Sequence, residues 1–176
     1  MMNRKKLEKL CQAFARILGG EGSVDENGVC LVQKFRDNLH FTILGRRTKS
    51  PLVIPQFFTF ENLDNRDRAL NLGETVLLQE EINPLLTELR KRDITVTAVH
   101  NHWLFDKPRA MYMHFESVEP PLQFARKVSE AFKVLKGNKN RQYTFYDKDD
   151  DYYDDYDDHY DKHEEYDDYN GDDYYY

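Results

Sequence analysis

Apolar residues recur at helical spacing near the start of the chain, where Leu7, Leu10, Cys11, Phe14, Ile17 and Leu18 fall on one side and a mostly basic set on the other. Side chains three and four apart share a helix face, so the pattern predicts an amphipathic helix over residues 4–18, stopped by Gly19-Gly20. A turn-rich stretch, Glu21–Gly28, precedes two β-rich runs, Val29–Arg36 and Leu39–Leu44, which read as a hairpin about Asp37-Asn38. Pro51 and Pro55 bracket a short apolar run, and Phe57-Phe58-Thr59-Phe60 fits either a further strand or an aromatic plug.

Residues 74–136 carry the clearest periodicities. Glu74–Gln79 fits a strand; Asn83 offers an N-cap oxygen with Pro84 in the first turn, and Ile82, Leu85, Leu86 and Leu89 mark one face of a helix to Arg92. A strand at Ile94–His102, a polar turn containing Asp106 and Pro108, and a strand at Ala110–Ser117 follow. Pro120-Pro121 opens a second helix with the stripe Leu122, Ala125, Val128, Phe132 and Leu135, stopped by Gly137-Asn138. A β-α-β-β-α order preceded by a helix and a hairpin predicts an α+β domain, with helices packed on one face of a mainly antiparallel sheet. If the strand at 74–79 lies parallel to that at 94–102, the crossover is right-handed and brings Glu80 and Glu81 towards His100 and His102.

Charge divides the chain at about residue 146. Residues 147–176 hold thirteen Asp and two Glu against Lys148 and Lys162, a net of −13, so the overall −7 resolves into a body of +6 and an acidic tail. With nine Tyr and no aliphatic residue, the tail cannot offset its ordering entropy by burial, which predicts one α+β domain at 1–146 and a disordered Asp/Tyr-rich segment at 147–176. That segment fits a solubilising role, a loose electrostatic cover over the basic body, or self-association as in a coat protein.

Cys11 and Cys30 lack metal-site spacing and lie in apolar periodic segments, so both are read as small buried hydrophobes with no disulfide framework expected. No run approaches the roughly 18 apolar residues of a membrane span. The first sixteen residues lack an apolar signal core, and charges occupy the place of a lipoprotein motif, which points to a cytoplasmic location. The basic residues Arg126, Lys127, Lys133 and Lys136 read as a solvated outer face rather than a nucleic-acid surface.

The candidate chemistry lies in Thr97-Ala98-Val99-His100-Asn101-His102 and Met111-Tyr112-Met113-His114-Phe115-Glu116. Strand residues two apart share a face, so His100 and His102 point one way, as do Tyr112, His114 and Glu116. Opposing His100 to His114 in an antiparallel pair would gather three imidazoles around one ion such as zinc, with an open position for water. Glu116, Glu80 or Glu81 would then serve as a fourth ligand, a partner to a ligand, or the base. Register decides, because a slip of one residue sends His114 to the other face. The apolar residues point in conflicting directions: Ile94, Val96 and Ala98 share the face of His100, whereas Met111, Met113 and Phe115 lie opposite His114. Asn101 could orient a ligand or cap the strand end, Trp103 and Phe105 could line a binding mouth or cover the core's edge, and Arg109 could bind an anion or be solvated.

The run Leu77-Leu78-Gln79-Glu80-Glu81-Ile82-Asn83-Pro84, the strand Ala98-Val99-His100-Asn101-His102 and the strand Met111-Tyr112-Met113-His114-Phe115 together resemble the LppY/LpqO family of bacterial proteins, a domain of unknown function. Arg36-Asp37-Asn38-Leu39 resembles, more loosely, that family's Arg-Asp-Leu segment, and the likeness covers about residues 29–136. It implies that His100, His102, His114 and Glu81 belong to a shared pattern, and it supplies no activity. Some members are lipoproteins with two copies of the domain; one copy is visible here.

Two readings follow. In one, a histidine-lined pocket binds a divalent metal such as zinc or another small ligand, with hydrolysis by metal-bound water and Glu81 or Glu116 as the catalytic base. In the other, the histidines are structural and the chain is a non-catalytic interaction, envelope or spore-coat protein whose tail mediates assembly with a protein partner.

Overall fold

A computed structural model describes residues 3–104, 108–135 and 137. In chain order the elements are α1 (Arg4–Leu18), β1 (Glu21–Val24), β2 (Cys30–Phe35), β3 (Phe41–Ile43), β4 (Arg46–Thr48), β5 (Pro55–Glu61), β6 (Ala69–Leu78), α2 (Ile82–Arg90), β7 (Thr95–Asn101), β8 (Ala110–Glu119) and α3 (Pro121–Ala131). Asn3 caps α1 by accepting the Lys6 N–H at 2.9 Å, and Gly19, at φ 71°, takes the left-handed conformation that ends it.

Six strands form one antiparallel-paired sheet in the order β1-β2-β5-β6-β8-β7. With β8 antiparallel to both neighbours, β6 and β7 run parallel with one strand between them. The expected α+β architecture holds. All three helices pack on one face, where Phe14, Phe58, Phe60, Leu85, Leu89, Phe115, Phe124 and Phe132 close the larger core. Phe14 meets Phe60 edge-on at 5.1 Å between ring centroids.

Among the described residues the opposite face is covered at one end only. The expected hairpin between 29–36 and 39–44 does not form, because β2 pairs with β1 and β5 while β3 pairs with β4. The turn at Asp37-Asn38 exists, with the Leu39 N–H on the Arg36 carbonyl at 3.0 Å, but it sends the chain off the sheet plane. Leu39, Phe41, Val53 and Ile54 then bury against Val76, Ala110 and Tyr112 as a second core. Burial of these apolar residues on the uncovered face outweighs continuation of the ladder. The hairpin ahead of the β-α-β-β-α unit is β1–β2, and β1 lies within the segment read as turn, its one large apolar residue being Val24.

Two further expectations are corrected. Asn83 is not the cap of α2: a 3-10 turn at Gln79–Glu81 leads into the helix, the Glu81 carboxylate accepts the Leu78 N–H at 2.9 Å, and Asn83 and Pro84 lie in the first helical turn. Cys11 and Cys30 are joined in a disulfide that ties α1 to β2, with Cα atoms 5.6 Å apart and both residues fully buried. The helix stripe containing Cys11 lies directly on β2, which brings two small buried residues to bonding distance. Among the described residues no helix is long and apolar enough to cross a membrane.

Candidate functional site

The conflict of apolar faces is resolved by a β-bulge. Val96 pairs with Phe115, and the next pair is Ala98 with His114, so Thr97 is an extra residue in β7. Val96 therefore faces the helices with Phe115, and beyond the bulge the alternation is reset: Val99 pairs with Met113 on the helix side, and His100 pairs with Tyr112 on the other. The expected direct opposition of His100 and His114 does not occur. They are diagonal neighbours on the same face, and the facing of all three histidines follows the metal-site expectation although the register does not.

His100 Nε2 and His114 Nε2 stand 2.9 Å apart, and their rings are stacked with centroids at 4.9 Å. His102 follows on the same side, 5.2 Å from His100 between centroids, its ring lying flat on Tyr112 at 3.6 Å and 5°. Tyr112 is buried and fixed, donating its hydroxyl to the Val53 carbonyl at 2.8 Å. The imidazoles thus stand where the covering segment ends, on a rigid aromatic base. His100 and His102 are exposed and His114 is half-buried, so the described residues form an open patch rather than an enclosed pocket. Among them, no group of three His, Cys, Asp or Glu side chains is placed to hold a metal ion as it stands.

Electrostatics keep His114 neutral. Desolvation is the main cause of a pKa lowered from its usual 6.5, Glu74 opposes it by attraction, and His100 and His102 add like-charge repulsion. Glu74 is the residue paired with His114 across β6, and sequence reasoning missed it. A signal was present: Glu74 is the acidic residue inside the otherwise apolar and small run Leu72–Leu78.

The other candidates are dispersed. Glu81 is buried beside Arg36, its two oxygens receiving Arg36 Nη1 at 2.5 Å and Nη2 at 2.9 Å. Such a paired carboxylate is an anchor, not a free base. Glu116 shares the face of His114 and lies between Leu72 and Thr95 in the ladder. Asn101 pairs with Met111 and so belongs to the helix side, where its amide donates to the Trp103 carbonyl at 2.5 Å. Trp103 packs against the second core, 5.7 Å from His102 between centroids. Arg109 is exposed and donates to the Leu104 carbonyl at 3.4 Å. Glu80 is exposed in the turn before α2. Phe105, Asp106 and the 147–176 segment lie outside the described residues.

A family model described as "Domain of Unknown Function (DUF1259)" matches residues 12–134. No curated protein and no solved structure matches the chain.

Proposed function

Since the chain belongs to this family of domains of unknown function, whose match runs from within α1 to the end of α3, we propose that it is a binding module whose open-face imidazoles, led by His100 and His114, take up a divalent metal ion such as zinc. Within the family it is read as LppY/LpqO-like, because the His-Asn-His and Met-His segments that carry that resemblance are the two strands meeting at the patch.

The observation that carries the reading is the convergence of two Nε2 atoms at 2.9 Å. Two nitrogens bound tetrahedrally at about 2.0 Å to one zinc stand roughly 3.3 Å apart, a small adjustment from this spacing. In the metal-free chain the same atoms can share one N–H, one ring donating and the other accepting. A neutral His114 has its lone pair available without loss of a proton. Two imidazoles alone make a weak site; His102, on leaving its stack on Tyr112, would supply a third nitrogen, and Glu74 and Glu116 are the carboxylates next to His114 on the same face. Hydrolysis is not required by this reading, and with Glu81 engaged by Arg36 the base assigned to it would rest on Glu116.

Zinc titration of the full chain by calorimetry tests the proposal, with a His100→Ala/His114→Ala double variant as control. His159 and His163 are common to both, so the difference belongs to the patch. One binding event per chain should disappear from the variant. Superimposable isotherms would leave the histidines structural and favour the non-catalytic interaction module.

A further inference from the structure

The segment that crosses the open face carries a second unusual feature at its tip. Strands β3 and β4 are joined by Leu44-Gly45, with φ 49° and 73°. Two positive φ values make this the tight hairpin turn that Asn-Gly satisfies without strain, and a branched aliphatic residue rarely adopts such a conformation. Leu44 is nevertheless there, and it is 97% exposed. Leucine at this position neither eases the turn nor fills the core, and it leaves an apolar side chain projecting from the tip.

The surroundings of the tip are basic. From Asn38 to Phe60 the chain has no Asp or Glu, while Arg46, Arg47 and Lys49 supply three fixed positive charges. In the hairpin Thr42 pairs with Arg47, and alternation places His40 and Lys49 on that same outer side, away from buried Phe41. His40, Arg47, Thr48 and Lys49 line an open depression of about 420 Å³. Leu52, on the return of the same segment, is 74% exposed. The segment is held from beneath by Leu39, Phe41, Val53 and Ile54, so tip and basic face are presented on a firm base.

We propose that the β3–β4 hairpin docks the protein on a bilayer containing anionic phospholipid, with Leu44 entering the interface and Arg47, Lys49 and His40 receiving a headgroup phosphate. A protruding leucine beside a cation-lined depression suits a fluid interface, which accepts an apolar side chain without a preformed hole and adds anionic attraction for each nearby basic residue. Nucleic acid is the poorer fit, since among the described lining residues the imidazole of His40 is the one ring for base stacking, and a projecting leucine has no counterpart in a phosphate backbone. At physiological salt the screening length is about 8 Å, so the local basic field acts at contact although the whole chain is acidic.

Sedimentation of the full chain with vesicles of phosphatidylcholine alone, or of equal parts phosphatidylcholine and phosphatidylglycerol, tests this. Binding is expected to the mixed vesicles only, and Arg47→Glu with Lys49→Glu should abolish it. Leu44→Gly is the sharper variant: it should weaken vesicle binding about tenfold while thermal stability is unchanged or raised, because glycine takes the positive φ freely. A purely structural role for Leu44 would lower stability instead. The proposal is overturned if mixed vesicles are not bound, if both vesicles bind alike, or if Leu44→Gly binds as the parent does. Equal competition by soluble glycerol phosphate against parent and Leu44→Gly, with no vesicle preference, would reduce the site to a free-anion site and also overturn it.

Discussion

His114 shows how one side chain links fold and acidity. Its pKa is lowered in the folded state, chiefly by desolvation, so the unfolded chain binds the proton more readily. Its contribution is therefore fully present above the unfolded value, near 6.5, and is lost as pH falls through that value towards the folded one. His114→Gln, which keeps a polar neutral group, should flatten the fall in urea-unfolding stability between neutral and mildly acidic pH; an unchanged slope would assign the fall to other groups. The Arg36–Glu81 pair is the contrasting case. Both residues were noted in the sequence, within segments that carry the family resemblance, and Glu81 was assigned as a base. Nothing local marks a carboxylate as an anchor, because its partner lies 45 positions away in the chain. Breaking such a pair leaves a buried charge without its counter-ion, which removes a fold support rather than a catalyst.

Among the elements, β6 owes its central place to a missing side chain. Gly73 lies between Phe58 of β5 and Phe115 of β8, and a Cβ added there would fall on the Phe115 ring. Gly73→Ala should cost about 2 kcal/mol through overpacking, read as a lowered urea midpoint with little change in slope. Smaller residues opposite would accommodate it, so Phe115→Leu should recover part of the loss. The helices and β8 were legible because each carries a complete periodic stripe, whereas the strand expected at 74–79 is only the second half of β6, whose first half, with polar Asn71 and Gly73 at inward positions, shows no apolar alternation. The hairpin at 29–44 was misread because alternation reports that a segment has a buried face, not which sheet it joins. The bulge was legible only as a contradiction: the apolar residues of β7 and β8 disagreed about facing, and an extra residue at Thr97 is the physical resolution. The histidine face could be named from residue spacing, but the choice between direct and diagonal pairing depended on that bulge.

On the scale of the molecule, two cores of unequal depth share one sheet. The larger is reinforced by the Cys11–Cys30 link, which closes a loop with a sequence separation of 19. Two cysteines in helical and strand stripes look like ordinary buried residues until the stripes are stacked, so this bond was not visible in the sequence. Restricting the unfolded chain by a loop of this size is worth about 3 kcal/mol, and reduction should lower the melting temperature by roughly 10 °C; identical melting curves with and without dithiothreitol would show that the bond is absent in solution. The bulge in β7 also alters the edge that the sheet presents. β7 is the outermost strand, with one side unpaired by the sheet, and its irregularity spoils the straight run of amides that a neighbouring copy would need. Loss of the single codon for Thr97 should leave His100, His102 and His114 facing as before and restore a regular ladder edge, which sedimentation velocity would read as chains zipping together more readily than the parent does.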